Sequence, residues 1–168
     1  SGHLVLAQEL LDVKSANNLT FDVFVHFGTL ISVLVFFRKD IVEIVKSILK
    51  SFRLKKFKEE YATNEYLRRG VAIVVGSIPA GVIGLLFRDT IRDTFTEPKL
   101  VGVNLVLTGL ILFLTRLARP REGKQVGILS GIVIGFAQAF AILPGISRSG
   151  TTISTGLYLR LSHIQAAR

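Results

Sequence analysis

The stretch AILPGISRSG, Ala141–Gly150, closes a run of 18 residues without a charged side chain, Val126 to Leu143. Pro144 and Gly145 are typical of helix ends, because proline cannot continue the helical hydrogen-bond ladder and glycine readily adopts turn geometry. Two serines flank Arg148 immediately after this turn. The stretch therefore predicts a helix that stops inside apolar surroundings and presents a cation and hydroxyl groups there.

Four uncharged or nearly uncharged blocks of 16 to 18 residues dominate the chain: 20–37, 71–87, 100–115 and 126–143. Each is slightly shorter than the roughly 20 residues of a typical spanning helix, and flanking Lys and Arg side chains can extend it by reaching toward water. A mean hydropathy of +0.51 beside 20% charged residues indicates that the apolar residues are segregated into these blocks. We therefore predict an all-α, polytopic membrane helical bundle rather than a soluble core.

The charge lies in the connections between the blocks. Residues 38–69 hold ten Lys or Arg against five acids, residues 116–124 hold four against one, and residues 88–99 hold three of each. The positive-inside rule places the first and third connections in the cytoplasm. This explains the net charge of +9 without a nucleic-acid partner, and the absence of cysteine excludes disulfides and thiolate metal sites.

Residues 38–69 form a basic cytoplasmic amphipathic segment. Apolar residues recur in it at helical spacing, with lysine and arginine between them: Ile41, Ile44, Val45, Ile48, Leu49 and Phe52. Such a segment is suited to lying on the inner membrane face, where it contacts anionic lipid. The alternative is a solvated helix that only sets the topology.

Residues 126–160 are predicted to form a re-entrant hairpin. Arg160 follows Gly150 after ten residues, which rise about 15 Å in a helix. That is half of an apolar thickness of roughly 30 Å, so the chain can turn within the membrane and leave on the side it entered. Broken backbone at this depth is tolerated only where it is buried in protein or lines a polar cavity.

The tip of this hairpin has the chemistry of an anion site. Arg148 offers a planar set of donors for phosphate oxygens, and a helix that starts near Gly150 adds its positive N-terminus. Gly145 and Gly150 allow backbone N–H groups to approach a ligand. Four hydroxyls lie in the same stretch: Ser147, Ser149, Thr151 and Thr152. The alternative is that the arginine caps a helix end or pairs with an acid, and that the serines act as N-caps.

The start of the chain repeats part of this pattern. SGHLVL, Ser1–Leu6, parallels SGTTIS, Ser149–Ser154, and the two copies could enter the membrane from opposite sides. Paired broken helices in two halves of a membrane protein mark a midplane binding site, so we predict an inverted repeat. His3 could act there as an acid, a base or a transient nucleophile. The alternative is an interfacial histidine without a catalytic role.

These segments resemble a known family. GFAQAFAILPGISRSGTTIS, Gly135–Ser154, resembles the second signature of the undecaprenyl-diphosphate phosphatases, the bacitracin-resistance type of integral membrane phosphatase, and SGHLVL resembles the tail of the first signature. The segments Phe21–Asp40 and Gly76–Ile91 resemble the helices between the two signatures. The resemblance implies an inverted-repeat fold with two re-entrant hairpins, in the bacterial inner membrane with several spans. It implies hydrolysis of undecaprenyl diphosphate to the monophosphate, which recycles the lipid carrier for cell-wall synthesis.

The resemblance also implies roles for individual residues. His3, Arg148 and Ser147 are the expected catalytic residues, and a divalent cation, magnesium, is the expected cofactor. The expected substrate-binding residues are Ser147, Arg148, Ser149, Gly150 and Thr152. The family's glutamates stand upstream of Gly-His, so we assign no metal ligand in this chain, and Gln138 stands where a second carboxylate could have been. We therefore expect residues 1–168 to be a single integral membrane domain that is a fragment, without the start of the first signature and the terminal helices, and catalytically inactive alone.

Two other functions are compatible with the pattern. A transporter or flippase for a phosphorylated lipid or small anion also uses inverted repeats with broken helices, and it needs only binding and alternating access. A non-catalytic membrane scaffold would have little use for an intramembrane arginine. The expected partners are the polyprenyl diphosphate lipid and the membrane, and a homodimer is left open.

Overall fold

The computed structural model of the chain describes residues 18–54, 57–94, 97–121 and 125–167. All regular elements in these ranges are helices, which confirms the predicted all-α class. The helices are α1 (Asn18–Phe36), α2 (Arg38–Leu54), α3 (Phe57–Thr63), α4 (Glu65–Leu86), α5 (Arg88–Thr94), α6 (Pro98–Leu114), α7 (Ile128–Phe140), α8 (Arg148–Tyr158) and α9 (His163–Ala167). A 3₁₀ turn, Thr115–Leu117, extends α6.

The four apolar blocks of the sequence correspond to α1, α4, α6 and α7. Two helical stretches are long and apolar enough to cross a membrane, Glu65–Leu86 and Pro98–Leu117. Two shorter apolar helices, Val23–Phe36 and Ile128–Phe140, accompany them. The residues of the predicted basic segment 38–69 form α2, α3 and the first turn of α4. The long helix α4 starts before its apolar block because the Asn64 side chain caps it, accepting hydrogen bonds from the N–H groups of Tyr66 (3.0 Å) and Leu67 (3.2 Å).

Helices α4 and α7 form the most extensive helix–helix contact among the described residues. Their backbones touch through small residues. A Cβ atom added at Gly131 would lie 2.5 Å from the carbonyl oxygen of Ala72, and one added at Gly76 would lie 2.5 Å from the carbonyl oxygen of Gly131. Gly135 contacts the carbonyl oxygen of Gly76 in the same way. Small residues at such crossings allow the close van der Waals packing that joins helices in lipid.

Helix α8 folds back along α7, so that residues 128–158 form a helical hairpin that also contacts α6 and α9. The predicted helix end at Pro144 is wrong by a few residues, since α7 ends at Phe140 and residues 141–147 form the turn. The N–H groups of Ile142 and Leu143 donate three residues back, to the carbonyl oxygens of Ala139 (3.2 Å) and Phe140 (3.4 Å), and helical geometry is disfavoured at Leu143 because a proline follows it. Whether the hairpin re-enters the membrane stays a prediction.

Helix α8 ends in a backbone motif that fixes where the chain leaves the hairpin. The N–H of Leu161 donates to the carbonyl oxygen of Gly156 (3.0 Å), and the N–H of Arg160 donates to that of Leu157 (2.9 Å). Arg160 adopts a φ of 63°, the left-handed geometry of a Schellman C-cap. Leu161 is buried beside Gly156 and completes the motif's apolar contact.

We predict that Gly135→Ala destabilises the protein by about 1–3 kcal/mol, because the added methyl group overlaps the backbone of α4 at Gly76. Gly109→Ala on α6 is the matched control, since nothing lies within 4 Å of its added Cβ. That control should be neutral or more stable by up to about 1 kcal/mol, because alanine is the better helix former. Thermal unfolding of the detergent-solubilised full-length protein measures both, and equal stability of the two variants would contradict the packing.

Candidate functional site

The turn between α7 and α8 brings the predicted site residues to the start of a helix. Gly145 adopts a φ of 90°, a left-handed geometry that favours glycine, and a Cβ atom there would collide with the carbonyl oxygen of Val101. The N–H of Ile146 donates to the carbonyl oxygen of Leu143 (3.2 Å), which closes the turn. Glycine is therefore needed here both for its backbone conformation and for the close approach of α6.

Two polar side chains of the apolar helix α6 hold this turn. Asn104 Nδ2 donates to the carbonyl oxygen of Pro144 (2.7 Å), and Thr108 Oγ1 donates to that of Gly145 (3.1 Å). Thr108 Oγ1 also accepts from the N–H of Ser147 (3.1 Å). Both α6 side chains are buried, with 7% and 6% exposure, so these hydrogen bonds satisfy groups that would otherwise be costly to bury.

Ser147 is the N-cap of α8. Its Oγ accepts from the N–H of Gly150 (3.1 Å), and its carbonyl oxygen accepts from the N–H of Thr151 (2.8 Å). This is the capping role that the sequence left open as an alternative, and it still leaves the hydroxyl hydrogen of Ser147 available as a donor. The helix therefore starts at Arg148, two residues before the predicted start near Gly150.

Arg148 is the first residue of α8 and its side chain is exposed. The first turn of α8 carries no acidic residue, and Arg148 forms no ion pair with another described residue. A cation is unfavourable at a helix N-terminus, where the helix dipole and the free N–H groups favour an anion. The N–H groups of Arg148 and Ser149 have no hydrogen-bond partner among the described residues. The start of α8 therefore has the charge and the free donors that favour an anion.

A cavity of about 320 Å³ lies between α4, α7, α8 and α9. Its polar lining residues are Arg69, Ser77, Gln138, Ser149, Thr152 and Gln165. Thr152 Oγ1 donates to the carbonyl oxygen of Arg148 (3.0 Å), so its oxygen lone pairs remain to accept a hydrogen bond. The predicted binding residues thus divide into two groups. Ser149 and Thr152 line the cavity, whereas Ser147, Arg148 and Gly150 lie outside its lining.

The other predictions for the site have different outcomes. His3 lies outside the described residues, so its proximity to Arg148 and the first copy of the predicted inverted repeat stay predictions. The described part of the chain contains no group of three or more His, Cys, Asp or Glu side chains that could hold a metal ion. The cavity lining likewise contains no carboxylate. The described residues around the hairpin therefore do not fit a magnesium site.

Sequence reasoning missed Asn104 and Thr108. A signal was present, because they are polar residues four positions apart in an otherwise apolar block, which places them on one face of a helix. The sequence contains no sign of which turn they would hold, since their partners lie 37 to 40 residues further along the chain.

The chain is similar to proteins of one family. The family model described as bacitracin resistance protein BacA matches residues 1–168. The undecaprenyl-diphosphatase of Salinibacter ruber is 41% identical over 99% of this chain and 62% of the relative. Those of Desulforapulum autotrophicum and Methanosphaera stadtmanae are 38% and 36% identical, each over 100% of this chain and 63% of the relative. The chain therefore spans less than two thirds of the length of these curated relatives.

We predict that Thr108→Val lowers stability by about 1–3 kcal/mol because the buried carbonyl oxygen of Gly145 loses its partner, with a smaller contribution from the part-buried N–H of Ser147. Thr108→Ser retains the hydroxyl and should recover most of the loss. The thermal unfolding midpoint of the full-length protein in detergent measures the difference. A valine variant as stable as the serine variant would show that the hydroxyl does not hold the turn.

Proposed function

The chain belongs to the bacitracin resistance protein BacA family, whose model matches residues 1–168, and we propose that the protein hydrolyses undecaprenyl diphosphate to undecaprenyl phosphate and inorganic phosphate. Curated relatives named undecaprenyl-diphosphatase, 35–41% identical and aligned over nearly the whole chain, support this reaction. They do not favour the alternative of a transporter or flippase. The reaction would recycle the lipid carrier of cell-wall synthesis, as the resemblance implies.

The observation that carries the proposal is the position of Arg148 at the N-terminus of α8. The guanidinium group, the N–H groups of Arg148 and Ser149, and the hydroxyl hydrogen of Ser147 are all donors, and the residues that carry them are consecutive at the start of α8. A terminal phosphate carries several acceptor oxygens and negative charge, so it matches both the donors and the unfavourable cation at the helix end.

Hydrolysis of the diphosphate requires that the oxygen of water bonds to the terminal phosphorus while the bond to the bridging oxygen breaks. The bridging oxygen leaves with undecaprenyl phosphate, and the terminal phosphorus leaves as inorganic phosphate. Because charge redistributes over the phosphoryl oxygens during this step, stabilisation of that charge is the main task of the protein. Arg148 and the α8 N-terminus would perform it, and Ser147 would orient one oxygen.

This stabilisation of charge involves neither His3 nor magnesium, the two other predicted components of the site. His3 remains the predicted catalytic residue for proton transfer or nucleophilic attack, and magnesium remains the predicted cofactor.

Thr152 is proposed to accept a hydrogen bond from water or from a protonated phosphate oxygen, because its own hydroxyl hydrogen is bonded to the helix backbone.

The chain is a helical membrane protein, and its described residues include two helical stretches long and apolar enough to span a bilayer. We propose that it crosses the bacterial inner membrane several times. Residues 126–160 would then be the re-entrant hairpin that carries the phosphate site, and a polyprenyl diphosphate would reach it from the surrounding lipid. A homodimer stays a prediction.

We predict that Arg148→Ala in the full-length protein lowers the rate of phosphate release from undecaprenyl diphosphate by at least about 100-fold, because it removes the main charge that stabilises the transferred group. Arg148→Lys should retain part of the rate, since lysine keeps the charge but loses the paired donors. The assay runs in detergent, with and without magnesium. Arg119→Ala, an exposed loop arginine, is the control with the same charge change.

Near-normal turnover of Arg148→Ala would disprove the assignment of this residue. Lipid that still binds to the wild-type protein without any phosphate release would instead favour the transporter. Release that requires magnesium would support the predicted cofactor and would place its ligands among residues other than those described around the hairpin.

A further inference from the structure

Helix α2 carries an exposed apolar stripe that the proposed reaction does not use. The stripe consists of Val42, Val45, Leu49 and Phe52, whose spacing of three and four residues places them on one face of the helix. Their exposed fractions are 47%, 48%, 65% and 72%. An apolar face this exposed on a helix rich in lysine and arginine indicates a partner that is not water.

The stripe is distinct from the face by which α2 joins the rest of the fold. Ile44 and Ile48 pack against Gly70 of α4, where an added Cβ atom would lie 2.7 Å and 3.0 Å from their side chains. Ser47 and Ser51 are buried on the same side, and Ser47 Oγ accepts from Asn64 Nδ2 (3.2 Å). These residues already form the face of α2 that packs against α4, and they leave the stripe facing outward.

Helix α2 is fixed at the level where the apolar part of α4 begins. Gly70 directly precedes the apolar block 71–87, and α2 itself follows the apolar helix α1 after Phe37. Arg69 is 8% exposed. Its Nη1 lies 3.9 Å from Oδ1 of Asp40 on α2, and its Nη2 lies 2.7 Å from Oε1 of Glu65. This ion-pair cluster and the Gly70 contact hold α2 beside the end of a candidate span, which is the position of a membrane interface.

A basic edge runs along the stripe. It consists of Lys46, Lys50 and Arg53, which are all exposed. Each of them directly follows a stripe residue in the sequence. Lys46 Nζ lies 3.3 Å from Glu43 Oε1, and Lys50 Nζ lies 3.2 Å from Glu60 Oε1. The Lys46–Glu43 pair is exposed on both sides and contributes little, so Lys46 can exchange its partner for a lipid phosphate. The Glu60 side chain is only 16% exposed, so its pair with Lys50 is less readily exchanged. The α2 sequence as a whole holds five basic residues against two acids.

Aromatic side chains continue this surface onto α3. The rings of Phe52 and Phe57 lie 6.4 Å apart, and those of Phe57 and Tyr61 stack at 6.0 Å. Aromatic rings are enriched at the boundary between lipid chains and headgroups. The combination of an apolar stripe, a basic edge and a position beside a span end matches an interfacial helix.

We propose that α2 lies along a bilayer surface containing anionic phospholipid, with the stripe in the acyl boundary and the basic edge at the lipid phosphates. A protein partner would have to cover the stripe and also neutralise the basic edge, whereas an anionic bilayer does both. This inference does not depend on the proposed reaction. Of the two alternatives that the sequence left open for residues 38–69, it favours lipid contact over a solvated helix that only sets the topology.

The depth of the stripe can be measured with a spin label. Leu49→Cys reports on the stripe, and Glu43→Cys, exposed on another side of α2, is the matched control. Residues 1–168 contain no cysteine, and any cysteine elsewhere in the full-length protein would be replaced. In vesicles of phosphatidylcholine and phosphatidylglycerol, the label at residue 49 should be more accessible to oxygen than to a water-soluble nickel complex, and the label at residue 43 should show the reverse.

Two results of this experiment would overturn the proposal. Strong relaxation of the label at residue 49 by the nickel complex would place the stripe in water. Protection of that label from both reagents would show that another part of the protein, or a second copy of it, covers the stripe.

The role of the anionic headgroup is tested by the variant Lys46→Gln/Lys50→Gln/Arg53→Gln. We expect phosphatidylglycerol to raise the thermal midpoint of the wild-type protein in detergent more than phosphatidylcholine does. The variant should need roughly fivefold more phosphatidylglycerol for each charge removed. The control Arg116→Gln/Arg119→Gln/Arg121→Gln removes the same charge from exposed residues at and after the end of α6, and it should need less additional phosphatidylglycerol than the α2 variant does. An equal response of the two triple variants would contradict a specific contact at α2.

Discussion

Three hydrogen bonds from α6 to the backbone of the α7–α8 turn determine where the first residue of α8 stands. Asn104 and Thr108 place their polar atoms at Pro144, Gly145 and Ser147 inside an otherwise apolar contact. Unsatisfied backbone groups are costly in such surroundings, so the turn is held where these partners are. The close packing of α4 on α7 fixes the other side of the hairpin. Between these two constraints, the N-terminus of α8 has a defined direction and position.

The consequence is electrostatic. Arg148 stands at the positive end of α8, without an acidic partner among the described residues, beside two backbone N–H groups that have no partner there either. This arrangement favours an anion, and a diphosphate has both the charge and the acceptor oxygens. Donors that are oriented before a substrate binds are also suited to catalysis. The curated relatives named undecaprenyl-diphosphatase carry a name that fits such a group.

The sequence predicted the helices of the fold because long uncharged blocks leave few alternatives in a chain this apolar. It also predicted the cluster around Arg148, because residues adjacent in sequence at a helix start are adjacent in space. It left N-capping by the serines open as an alternative, and it could not predict that α7 would end at Phe140, since both depend on how the turn is held by α6. The outward stripe of α2 was likewise hidden, because periodicity shows that apolar residues share helix faces without showing which face α4 covers.

The proposed function requires that the terminal phosphate binds to the guanidinium group of Arg148. The most direct measurement is the dipolar coupling between ¹⁵N-labelled arginine side chains and the ³¹P nuclei of a non-hydrolysable methylene analogue of undecaprenyl diphosphate, bound to the full-length protein in membranes. If Arg148 holds the phosphate, the wild type shows a close nitrogen–phosphorus contact. This contact disappears in Arg148→Lys while the analogue remains bound. The same contact in both proteins would show that another arginine holds the phosphate and would contradict the account.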